Sequence, residues 1–226
     1  MINSKDIQFY HKYGYLKVRI FSLVELDHIS KSFQSFLTNR RNKNFDKFRE
    51  DLKDYKNISK IRFKKFMKLN DRIVDLYNIS TNKKVMDLVS KLNIKKPILS
   101  SNPQFRTDFP KDKKYSQPLH QDILYNLKSK NALTIWTCLH DCSKNDGAIE
   151  IFEKTHKKKI FKYDKKENPR RYEIIGFKNS SYKKVIAETK IGQSVIFNQK
   201  LVHKSGINQS QKVRISFQVR FSNLNN

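Results

Sequence analysis

The spacing of apolar residues changes character once along this chain, near Pro97. Upstream the periods are helical. Ile7, Phe9, Tyr10 and Tyr13 run up to Gly14, which predicts a short helix over residues 5–13 leading into an extended segment from Tyr15 to Val18. Leu23, Leu26, Ile29, Phe33, Phe36 and Leu37 share one helix face, and Ser22 with Glu25 forms a capping box at its start. Residues 42–68 combine charge with Phe45, Phe48, Tyr55, Phe63 and Phe66, the pattern of a packed helix with a solvated Lys face. From Asp71 to Leu92 the positions of Ile73, Leu76, Val85, Leu88 and Val89 predict further helix, broken near residues 78–82.

Downstream the period is two. Residues 103–109 set Gln104, Arg106 and Asp108 against Phe105 and Phe109. Residues 131–139 set Ala132, Thr134, Trp136 and Cys138 against Leu133, Ile135, Thr137 and Leu139. Asn145-Asp146-Gly147 is a hairpin-turn signal ahead of a strand over residues 148–152. The Lys-rich stretch 154–171 reads as a surface loop. Strands are expected at 172–177, 183–188 and 193–198, with a tight turn at Ile191-Gly192. Val213 to Phe221 alternates most cleanly, with Arg214, Ser216, Gln218 and Arg220 on its polar face. Helices followed by a train of short strands predict an antiparallel sandwich or barrel. The expected organisation is a single domain, a mainly helical leader over residues 1–96 packed on a β core over residues 97–226.

Composition adds a large positive charge: 48 basic against 21 acidic residues, a net of +27 over 226 residues. Eleven of the basic residues are Arg and 37 are Lys, scattered from end to end. Phosphate recognition favours the planar Arg fork, so this reads as composition bias more than as a nucleic-acid surface, although anionic small molecules would be attracted. The aromatic–basic mix at residues 42–68 keeps single-stranded nucleic acid open as an alternative partner. Cys138, His140 and Cys142 share one face of an extended segment, but no second pair completes a closed zinc site, and buried thiols are expected. The sequence opens on no apolar run resembling a secretory signal and holds none of membrane-spanning length, so a cytoplasmic location is the expectation.

Candidate chemistry centres on His120-Gln121-Asp122 and on a distant His203. On a strand, residues two apart face the same way, so His120 and Asp122 offer an imidazole and a carboxylate to one point. With His203 from another strand they form a set of two His and one carboxylate that leaves coordination positions open, the arrangement used for non-haem Fe(II). A 2-oxoacid can fill two of those positions and dioxygen a third. If it is 2-oxoglutarate, its far carboxylate needs a fixed fork, and Arg214 is the natural choice. Ser205, sharing a face with His203, could add a hydroxyl. If Arg214 points inward, Gln218 and Arg220 face the cavity too, and with Arg106 they would suit an anionic substrate. Taken alone, Arg214 reads first as an exposed cation on the polar face of an amphipathic strand. A metal-dependent cupin-like enzyme without a 2-oxoacid also remains open, and there Arg214 would be dispensable.

Taken in order, Phe105-Arg106-Thr107-Asp108-Phe109-Pro110, His120-Gln121-Asp122, Thr134-Ile135-Trp136-Thr137-Cys138-Leu139, Asp146-Gly147-Ala148-Ile149, His203-Lys204-Ser205-Gly206 and Arg214 to Phe221 resemble the phytanoyl-CoA dioxygenase family. The start of the chain, Phe9-Tyr10 to Leu26, is similar to that family's helix–strand opening. The resemblance implies a double-stranded β-helix (jelly roll, cupin-like) flanked by helices, and Fe(II)- and 2-oxoglutarate-dependent oxygenation. It implies that His120, Asp122 and His203 bind metal, that Arg214 and Ser205 bind the co-substrate carboxylate, and that Trp136, Thr134 and Gln104 line the co-substrate pocket. Hydroxylation of a small, anionic metabolite with release of succinate and carbon dioxide is the expected reaction. An intact Asp122 favours it over halogenation, because halogenating relatives give up that ligand. Glu153-Lys154-Thr155-His156 departs from the family's Pro-Gly-Ser-His turn, keeping only the His.

Overall fold

Local chemistry sets the helical leader. In the computed structural model, which describes residues 2–37, 44–58, 60–113, 116–126, 129, 131–165 and 172–224, α1 (Ser4–Tyr13) is capped by Asn3 and stopped by Gly14 at φ 90°. Gly14 is left-handed and crowded by His156 and Leu201, which leaves no room for a side chain. Next come β1 (Tyr15–Arg19) and α2 (Leu23–Leu37). The expected capping box starts α2: Ser22 N donates to Glu25 Oε2 at 2.8 Å and Glu25 N to Ser22 Oγ at 3.2 Å. Then follow α3 (Phe45–Ile58), α4 (Lys60–Leu69), α5 (Val74–Ser80) and α6 (Lys83–Lys91), with the break before α6 at Thr81-Asn82.

Strands follow Pro97: β2 (Pro97–Asp108), β3 (Ala132–Cys138), β4 (Glu150–Phe152), β5 (Tyr163–Lys165), β6 (Tyr172–Ile174), β7 (Lys184–Ile186), β8 (Gln193–Asn198), β9 (His203–Lys204) and β10 (Arg214–Asn223). A five-stranded antiparallel sheet runs β1-β8-β3-β10-β2, and a three-stranded sheet runs β7-β4-β9. His120 bridges to His203 and so extends the second sheet past β9. From β2 onward the chain repeatedly changes sheets, which makes a jelly roll flanked by helices, with β1 of the leader as an added edge strand.

Two expectations are corrected. Asn145-Asp146-Gly147 does turn, with Gly147 at φ 84°, but it joins no hairpin: β3 and β4 lie in different sheets. Local turn chemistry cannot specify which sheet the chain enters next. Nor is 154–171 wholly loop, since β5 pairs with β6, and residues 166–171 lie outside the described residues. At the departure from the family turn, Lys154 takes the left-handed conformation at φ 65°, and Thr155 Oγ1 secures the bend by donating to Phe152 O and accepting from Val202 N.

The two faces of β10 explain the architecture. Val213, Ile215, Phe217, Val219 and Phe221 pack beneath the leader, where Phe21 meets Phe217, and Phe33 meets Phe66 and Phe105. Arg214, Ser216, Gln218 and Arg220 are buried on the opposite face, toward the second sheet. Arg214 is only 1% exposed, so it is not a solvent-facing cation. Phe48, Phe63 and Phe66 fill the core and cannot stack on a nucleic-acid base, while the side chains of Phe36 and Tyr55 lie outside the described residues. Cys138 and Cys142 are buried free thiols.

Candidate active site

Two chain segments far apart in sequence are hydrogen-bonded directly to each other at the centre of the site. His120 N donates to His203 O at 2.9 Å, and His203 N returns the bond to His120 O at 3.0 Å. Both imidazoles project inward, with ring centroids 4.2 Å apart. Each is oriented by a carbonyl two residues upstream: His120 Nδ1 lies 2.7 Å from Pro118 O, and His203 Nδ1 lies 2.9 Å from Leu201 O. A proton on Nδ1 leaves the Nε2 lone pair facing the interior, as a metal-binding His requires. Burial and the neighbouring His120 push His203 down to about 3, which keeps that lone pair free at neutral pH.

Asp122 completes the set by a route other than the expected strand. The segment stays extended through Gln121, but Asp122 opens a short 3-10 turn, Asp122–Leu124. Its Oδ1 still lies 3.4 Å from His120 Nε2 and 3.9 Å from His203 Nε2. The three ligand atoms all fall within 4.8 Å of one another, and the three residues are buried. Two imidazole nitrogens and one carboxylate oxygen this close together fit a divalent first-row metal with open positions. Asp122 Oδ2 is held by the Thr134 hydroxyl and by Arg220 Nε at 3.1 Å, while Oδ1 faces the imidazoles and also accepts from Arg220 Nη2 at 3.3 Å. Burial disfavours the charged carboxyl, but Arg220 and the two imidazoles outweigh it and hold Asp122 well below the usual carboxylate range.

The remaining candidates, Ser205 apart, lie on the inner face of the five-stranded sheet. Cross-strand register places Arg214 opposite Asp108, Ser216 opposite Arg106, and Gln218 opposite Gln104 on one side and Trp136 on the other. Arg214 Nη2 lies 2.6 Å from Asp108 Oδ2, its Nη1 donates to Gly147 O, and its guanidinium stands 5.7 Å from the Trp136 ring centroid. Arg214 Nε and Ser216 Oγ are buried without a hydrogen-bond partner, so this end of the barrel holds unused donors suited to an anion. Gln218, with its amide oxygen turned to suit both neighbours, accepts from Arg220 at 3.2 Å and from Gln104 at 2.9 Å. Arg106 is half-buried on the same face, beside Asp108.

Arg220, expected near a substrate, touches the Asp122 carboxylate, whereas Arg214 stands back at the other end of β10. Thr134, expected to line a pocket, bonds Asp122. The Ser205 hydroxyl accepts from Gln117 N at 3.1 Å, a local use that ties residue 117 to the end of β9. Sequence reasoning missed Tyr125, whose ring lies 5.9 Å from that of His120 and 5.4 Å from the Arg220 guanidinium. It sits in the turn after Asp122, where no periodicity marks it. Thr134→Val removes one of the two groups on Asp122 Oδ2 and should weaken Fe(II) binding roughly 10–100-fold, read by anaerobic Fe(II) titration. Unchanged affinity would leave Arg220 as the sufficient support.

The family model described as phytanoyl-CoA dioxygenase matches residues 10–216. The chain belongs to the phytanoyl-CoA dioxygenase family. A probable phytanoyl-CoA dioxygenase of Caenorhabditis elegans is 24% identical over 242 aligned residues, covering 99% of this chain and 76% of its own. Among solved structures, EvdO2 from Micromonospora carbonacea var. aurantiaca complexed with 2-oxoglutarate superposes with a TM-score of 0.70 at 12% identity, over 98% of this chain and 91% of that one. The epimerase SnoN, in complex with Fe3+, alpha ketoglutarate and nogalamycin RO, gives a TM-score of 0.70 at 14% identity, over 97% and 82%. Both share the jelly-roll fold. Family membership and the His120–Asp122–His203 cluster together make this a non-haem oxygenase with iron as metal and 2-oxoglutarate as co-substrate, acting with dioxygen on a small molecule. Among the described residues, no helix is long and apolar enough to cross a membrane.

Proposed function

We propose that this phytanoyl-CoA dioxygenase family member hydroxylates a small, anionic metabolite. The observation that carries this reading is the convergence of His120 Nε2, Asp122 Oδ1 and His203 Nε2 within 4.8 Å, with both Nδ1 atoms already committed to carbonyl oxygens. In this reading those three atoms hold iron, and Arg214, set against Trp136, takes the far carboxylate of 2-oxoglutarate. Gln104 lines that pocket, and Arg106, Gln218 and Arg220 supply the cationic wall that favours an anionic substrate. Ser205 contributes by fixing the backbone around His203. Bound iron and 2-oxoglutarate supply the oxidative chemistry, in which the keto acid becomes succinate and carbon dioxide and one atom of dioxygen passes to the substrate.

The protein's own part is geometric and electrostatic. Buried aromatic and aliphatic side chains keep water from the site, and the interior keeps its charges paired until ligands arrive. Anaerobic addition of Fe(II) and 2-oxoglutarate should give the weak visible charge-transfer band of the chelate. No band with the iron site demonstrably filled would remove 2-oxoglutarate from this reading. Arg214→Ala deletes a charge-assisted grip worth about 1.5–3 kcal/mol, so the Kd for 2-oxoglutarate should rise roughly 10–100-fold. Full activity in Arg214→Ala would favour a cupin-like enzyme that does without a 2-oxoacid. Succinate release across carboxylates, phosphonates, amino acids and acyl thioesters would then identify the substrate class.

A further inference from the structure

The guanidinium assigned above to the co-substrate is already occupied by a carboxylate of the chain itself. Arg214 and Asp108 are direct cross-strand partners on the barrel's inner face, 2.6 Å apart and both buried. In the ligand-free barrel this pairing avoids a stranded cation, which would be costly. 2-Oxoglutarate is a dianion, and its far carboxylate on Arg214 would meet Asp108 at close range. Two carboxylates on one fork repel unless a second cation takes one of them. Such a cation is present. Arg106 is two residues before Asp108 on the same face of β2, about 7 Å along the strand. Directly across from Arg106 lies Ser216, whose buried hydroxyl has no partner.

We propose that Asp108 is an internal competitor for the co-substrate arginine: 2-oxoglutarate binds by exchanging its far carboxylate for that of Asp108, whose charge passes from Arg214 to Arg106. Asp108 thereby sets co-substrate affinity, and Arg106 with the Ser216 hydroxyl receives the displaced carboxylate. The inference rests on Arg214 being the co-substrate anchor.

The test is anaerobic titration of the Fe(II)-loaded protein with 2-oxoglutarate, followed at the charge-transfer band. Asp108→Asn keeps the shape and removes the competing charge, so 2-oxoglutarate should bind about tenfold more tightly, the scale of one charge-assisted hydrogen bond. Arg106→Gln should weaken binding in the wild-type background and have little effect once Asp108 is Asn, a non-additivity expected only if the two residues act together. Asp108→Ser carries the same sign should the Asn variant fold poorly. Binding in Asp108→Asn that is unchanged or weaker than wild type would overturn the proposal and make Asp108 a support that merely orients Arg214. Arg214→Met separates the two layers. Unaltered binding there removes the anchor itself, whereas weakened binding without tightening in Asp108→Asn removes only the exchange.

Discussion

His203→Ala should abolish the Fe(II)–2-oxoglutarate charge-transfer band and bring succinate release to background. The imidazole it removes supplies one of three ligand atoms within 4.8 Å, and no other side chain among the described residues joins that cluster. Metal-assisted stabilisation of developing charge amounts to several kcal/mol, so turnover should fall by about three orders of magnitude. The fold should survive, because the backbone pairing of His120 with His203 uses main-chain atoms that Ala retains. Circular dichroism and Fe(II) stoichiometry measured together decide the matter. A variant that keeps both metal and band would place the iron elsewhere.

Arg220→Met should produce the largest loss of stability. Asp122 is 0% exposed, and Arg220 is the cation against it, with Nε 3.1 Å from Oδ2 and Nη2 3.3 Å from Oδ1. Removing one member of a buried pair strands the other, at a cost of about 3–5 kcal/mol. The pH dependence has a definite sign. Asp122 titrates below its unfolded value, so its ion pair stabilises the native state above that value, about 3.9, and the contribution fades as pH falls through the lower folded value. In Arg220→Met that depression shrinks, and acid unfolding should begin at a higher pH. A divalent metal restores positive charge beside the same carboxylate, so Ni(II) should recover part of the lost melting temperature. Metal-free Arg220→Met as stable as wild type would show that the pair contributes little.

Much of this is legible in the sequence. His120, Asp122 and His203 stood out because few residue types bind iron and because a two-residue spacing places neighbours together. The polar face of β10 is equally plain, and parity groups Arg214, Gln218 and Arg220 on it, but only burial shows that this face points inward. Parity does not reveal register. That Arg214 meets Asp108 while Arg220 meets Asp122 depends on how β10 aligns with β2 and on where the 3-10 turn aims Asp122, which are long-range outcomes. The second sheet was hard to read for a simpler reason: β4 and β7 hold three residues each and β9 two, too few to establish a period. Tyr125 escaped because turn residues carry no repeating signal.

The mutual main-chain pairing of His120 and His203 has a consequence for how the molecule breathes. Those two amides sit in the short seam where an edge segment is laced to its neighbour, with Ser205 and Gln117 joined beside them. An ion held by the side chains on both sides would act as a clasp across it, so opening would require the ion to leave first. Hydrogen exchange at these two amides should therefore slow on metal loading more than at the long β10–β2 ladder, making them a built-in gauge of occupancy.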